Sequence, residues 1–190
     1  MAQKITQKEI REEFYALLSK QKDSFLPYIL DPKNPNSKSL VIGRRKYGEK
    51  WQFVALSYGA NPRRFYVEIA ISSRPDFPVN GLGWPHLPTP EGDIRFSAAE
   101  LWGNMQSGGW IIDIPEKPLP KESLMPPEGV FQTMPLLMSD LEDRLKNWII
   151  PFLENKRPYP QLSPSLQNRR LVKKCVDDYI NQMQEADNNV

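Results

Sequence analysis

Proline is the residue that most limits how this chain can fold. Of its 19 prolines, all but three lie between Pro62 and Pro164. A proline fixes φ, removes a backbone donor and interrupts a helix interior or a central strand. The middle of the chain is therefore expected to run as short strands joined by stiff loops. One such loop, GLGWPHLPTP (81–90), holds the only histidine, His86.

Other residues set the class. Five Trp, seven Tyr and eight Phe supply large core anchors, which disordered chains lack. A length of 190 residues suits one domain, or one domain with an appendage. The single cysteine, Cys175, excludes an internal disulfide, and with one histidine a metal site would need carboxylates almost alone. No apolar run follows the basic residues of MAQKITQKEI, and none reaches the ~18 residues of a membrane span. The expectation is a cytoplasmic protein that makes no use of a membrane. Net charge is +2, too small to imply nucleic acid by itself. Residues 1–50 are basic, with 11 Lys+Arg against 6 Asp+Glu, and residues 51–130 are acidic, with 6 against 9.

Periodicity places the elements. Thr6 and Glu9 form a capping box, and Ile10, Phe14, Leu17 and Leu18 follow on one helical face. Leu26 precedes a proline and is pushed out of helical geometry, so 24–38 reads as a short apolar segment and a turn. SLVIGRRKY (39–47), WQFVALSY (51–58) and RFYVEIAIS (64–72) read as an antiparallel meander. Phe65, Val67, Ile69 and Ile71 share one face of the third strand, and Tyr66, Glu68 and Ala70 the other. The second strand is apolar on both faces, which predicts a central, doubly covered position. DIRFS (93–97) and GWIIDI (109–114) read as a fourth and fifth strand, with a helical turn at 98–102. Residues 115–129 read as a polyproline-like connector. A second capping box at Ser139 and Glu142 would open a helix to about residue 155, kinked or ended early by Pro151. Val172, Val176, Tyr179 and Met183 line one face of a last helix, roughly 164–186, capped by Ser163.

These elements predict an α+β fold: an antiparallel meander of about five strands packed with an N-terminal helix and two C-terminal helices. The domain would span 1–158, with Pro-rich segments at 74–92 and 115–129 and a helical appendage at 159–190. The stretches WQFVALSYGANPRRFYVEIAI (51–71) and LKNWIIPFLE (145–154) together resemble a bacterial family classed only as a domain of unknown function. The resemblance covers residues 6–155. It implies an antiparallel sheet with flanking helices and small cytoplasmic proteins, some acting as immunity or accessory proteins. Its motifs are structural and carry over no catalytic residue.

The candidate chemistry is sparse. His86 has only Glu91 and Asp93 as local carboxylates, and no serine or cysteine stands in a nucleophile context. A small enzyme using His86 with Glu91 or Asp93 is one reading. Glu91, Asp93 and Asp113 could converge, but a strand start and a solvent-facing aspartate explain Asp93 and Asp113 more simply. No Gly-rich phosphate loop occurs, and no cofactor is expected. Arg44, Arg45, Lys46, Arg63 and Arg64 are a candidate nucleic-acid set beside Tyr47, Trp51 and Phe65. In a meander, however, the two clusters fall at opposite strand ends, roughly 20 Å apart. The leading expectation is a non-enzymatic module that binds another protein through Trp84, His86, Leu87 and Trp102, since stiff loops bearing aromatics lose little entropy on binding.

Overall fold

Alternating side chains on every long strand give the sheet two buried faces, and everything else is arranged around them. The computed structural model describes residues 5–21, 24–30, 40–58, 64–77, 94–102, 109–112, 129–154, 156, 178 and 181. Helix α1 (Gln7–Lys20) is followed by β1 (Leu26–Leu30), β2 (Leu40–Tyr47), β3 (Lys50–Tyr58), β4 (Arg64–Ser72) and β5 (Ile94–Ser97). A 3-10 turn, Ala98–Trp102, leads on to β6 (Trp110–Ile112), β7 (Gly129–Phe131) and α2 (Met134–Arg144). A π-helical segment (Leu145–Ile149) and α3 (Ile150–Leu153) close the described domain. The fold class is α+β. No helix among the described residues is long and apolar enough to cross a membrane.

The sheet has seven strands in the order β1-β2-β3-β4-β6-β7, with β5 also paired to β4. All pairings are antiparallel except β6 with β7. Strands β5 and β6 share one edge of β4: β5 pairs with Glu68–Ile71, and β6 with Arg64 and Phe65. As expected, β3 is central and buried on both sides. The five-strand meander is corrected to seven strands. Strand β1 lies where a short apolar segment was expected; its Pro27 is tolerated because β1 pairs only with β2, at the sheet's edge. Strand β7 starts at Gly129, the last residue assigned to the connector.

The first face carries Val41, Val54, Leu56, Phe65, Val67, Ile69 and Ile71 under the helices. Helix α1 starts with the expected capping box and buries Ile10, Phe14, Leu17 and Leu18 there. Burying each such side chain contributes roughly 1.5–3 kcal/mol. Gly43 lets α1 come close: a Cβ there would lie 3.1 Å from Leu18 Cδ1. The second face holds a smaller core of Ile42, Phe53, Ala55, Ala70 and Phe77.

Helix α2 begins five residues before Ser139. Its N-cap is Thr133, which makes no side-chain capping bond, and Pro135 stands in the first turn, where its missing N–H costs nothing. Ser139 is therefore inside the helix rather than its cap. Buried residues then recur every fourth position: Leu137, Leu141, Leu145, Ile149 and Leu153. Four residues overshoot an α-helical turn by about 40°. The wider π turn at 145–149 offsets that drift and keeps the stripe on the sheet. Pro151 cannot bond the carbonyl four residues back, at Asn147 inside that turn. The helix thus passes through a π segment at the proline's doorstep and ends at Leu153. Of the expected last helix, only Asp178 and Asn181 are described. Both are helical and exposed; the Val172, Val176, Tyr179 and Met183 stripe lies outside the described residues.

Candidate functional site

An aromatic cluster gathers where β6, the 3-10 turn and the π segment meet. Gly109 makes the approach possible: its φ is 75°, and a Cβ there would lie 2.3 Å from the Phe65 carbonyl oxygen. The next residue, Trp110, is buried and stacks on Phe65 with centroids 6.1 Å apart. Its indole N–H donates to Asp140 Oδ2 at 2.8 Å. Trp102 meets Trp110 edge-on at 6.0 Å and Trp148 edge-on at 6.0 Å. The Arg144 guanidinium lies 4.7 Å from the Trp102 ring centroid, and its Nε is 3.8 Å from Asp140 Oδ1. Trp102 and Trp148 are half-buried. Ala98 and Ala99 are fully buried, and Trp102 at the end of the same turn packs partly buried against the main core.

A cavity of about 10 Å³ lies beneath, lined by Phe14, Val54, Val67, Trp110, Leu141, Arg144, Leu145 and Ile149. That is room for about one water molecule, far below the ~300 Å³ of a small-molecule site. Among the described residues no three His, Cys, Asp or Glu side chains converge as metal ligands do.

The second face hides a charge network. Glu68 is buried, accepts from Ser57 Oγ at 2.7 Å and pairs with Arg95 Nε. Arg95 also lies 4.9 Å over the Phe77 ring. Sequence reasoning placed Glu68 on the polar face of its strand and missed the network. The available signal was a glutamate and an arginine on neighbouring strands that each alternate with buried apolar residues.

Among the described residues, Arg44, Arg45, Lys46 and Arg64 do not form one patch. Arg44 and Arg45 project to opposite faces. Arg44 lies 5.2 Å from the Tyr28 ring and 5.6 Å from the Trp51 ring, and donates to the Pro75 carbonyl at 3.3 Å. Arg45 is on the helix face, where it donates to Gln52 Oε1 at 2.6 Å and Glu154 Oε1 at 3.2 Å, beside Phe25 and Tyr47. The Glu154 carboxyl is held below its usual range by hydrogen bonding to Lys156 and, against some burial, by Arg45. Lys46 alone of the three is exposed. Arg64 is buried. It stands six residues along β4 from Ala70, which shares a cross-strand row with Arg44, so about 20 Å separates the two. Trp84, His86, Leu87, Glu91, Asp93 and Arg63 lie outside the described residues, as does Asp113.

No protein-family model, no curated protein and no solved structure matches the chain. The functional reading therefore rests on geometry.

Proposed function

We propose that this protein is a protein-binding module that acts by contact rather than catalysis, and that Trp102, Trp148 and Arg144 form part of its contact surface. One observation carries the reading: two half-buried tryptophans are locked edge-to-edge, with an arginine stacked on one of them. Trp and Arg dominate interface hot spots, and side chains already held in place lose little entropy on binding. The segment with Trp84, His86 and Leu87 is proposed as a second contact of the same kind. An immunity or accessory role, which the bacterial resemblance implies, is the finer form of the proposal.

The nucleic-acid reading draws less support, since Arg44, Arg45 and Arg64 are spread over both faces and both ends of the sheet and are engaged internally. Amide exchange with and without the bound partner tests the proposal. Protection should appear at 98–102 and 144–149. Protection confined to the 44–51 hairpin, or lost in moderate salt together with bound nucleic acid, would overturn it.

A further inference from the structure

Two arginines that the sequence offers as a phosphate ligand and a strand residue converge on one short segment. After β4 the chain turns at Ser72, whose Oγ accepts from the Arg74 amide at 3.0 Å. Residues 73–76 are then exposed, and Phe77 returns to the second face with 5% exposure. Its ring meets Phe53 edge-on at 5.7 Å. Arg44 donates to the Pro75 carbonyl from between Tyr28 and Trp51, and Arg95 lies over the Phe77 ring. Tyr28 lies beside the same segment, and its phenol is pushed up in pKa chiefly by burial.

We propose that Arg44 and Arg95 form a two-point clamp that holds residues 73–77 as a strap across the second face, and that this strap opens as a unit while the sheet stays folded. The clamp explains the buried charges. Glu68 and Ser57 fix Arg95, and two flanking rings fix Arg44, so both guanidiniums are positioned before the strap arrives. The strap itself has one buried anchor and four exposed residues. A segment with four of five residues exposed opens at lower free energy than the buried sheet beneath it. Its seat is Ile42, Phe53, Ala55 and Ala70, the apolar core of that face. Arg44 and Arg95 are positioning residues, and the inference does not depend on the protein-binding proposal.

Amide hydrogen exchange read by mass spectrometry tests it, with Lys46→Ala as control, since Lys46 is exposed on the same face. In Arg44→Ala, exchange across 73–77 should rise about tenfold, the loss of one charge-assisted hydrogen bond and two ring contacts, with β3 and β4 unchanged. Arg44→Lys should also speed exchange, because an ammonium cannot reproduce the planar stack. Phe77→Ala should open the strap outright. Unchanged exchange at 73–77 in Arg44→Ala and Phe77→Ala would overturn the clamp. So would a rise shared equally by β3 and β4, which would make the strap inseparable from the sheet.

Discussion

Glu68 and Arg95 form an ion pair in the second face of the sheet, with the carboxylate also held by Ser57. Their side chains are 8% and 18% exposed, so neither charge is well solvated alone. Removing one partner leaves the other buried and unpaired. Glu68→Ala or Arg95→Ala should each cost about 3 kcal/mol, and the double variant Glu68→Gln with Arg95→Met should recover much of that loss. Denaturant midpoints at constant m-value measure both.

Neighbouring cations should separate sharply in their effects. Arg45 is 11% exposed, bonded to Gln52 and Glu154 and packed beside Phe25 and Tyr47. Arg45→Ala should lower stability by about 2 kcal/mol, whereas exposed Lys46→Ala should stay within about 0.5 kcal/mol. Equal effects in thermal unfolding would contradict the placement of the two side chains on opposite faces.

Acid sensitivity should report the N-terminal cap. Hydrogen bonds from the Thr6 side chain and backbone lower the Glu9 pKa below its usual value. A depressed carboxyl pKa contributes stability that is present above the unfolded-state pKa and is lost as pH falls through the folded one. Thr6→Ala should cost about 1 kcal/mol at neutral pH. Its deficit against the parent chain should shrink as the pH is lowered below the ordinary glutamate pKa. A deficit constant down to acid pH, followed by unfolding midpoints, would contradict the capping box.

Phe77 and Arg95, described residues on either side of 78–93, are neighbours in space: the Arg95 guanidinium lies 4.9 Å from the Phe77 ring centroid. Closing that gap with a short Gly-Ser linker should preserve the fold, because loop-closure entropy changes slowly with length. The shortened chain should keep its far-ultraviolet dichroism and unfold within a few degrees of the parent, about 1 kcal/mol of stability.

Local patterns made the helix α1, its capping box and the three long strands legible, because each depends on neighbours in sequence. The sheet's ends were not. Strand β1 hides behind Pro27, and β7 is three residues long after a Pro-rich stretch. Both are fixed by pairing to distant residues rather than by their own preference. The start of α2 was misread because Ser139 and Glu142 satisfy a capping pattern inside a helix that Thr133 and Pro135 begin. Of the candidate site, Trp102 was legible, but its meeting with Trp148 was not: the π turn that positions Trp148 follows from the four-residue spacing of the buried stripe. Simple alternation along β2 could have separated Arg44 from Arg45.

The most direct test of the central claim is affinity capture from the native host, followed by titration of the purified partner against the parent chain and Trp148→Ala. The account predicts one stoichiometric protein whose affinity falls at least about tenfold in Trp148→Ala, as a hot-spot residue requires. Capture of no protein, or of one that binds Trp148→Ala, Trp102→Ala and Arg144→Ala as tightly as the parent chain, would contradict it.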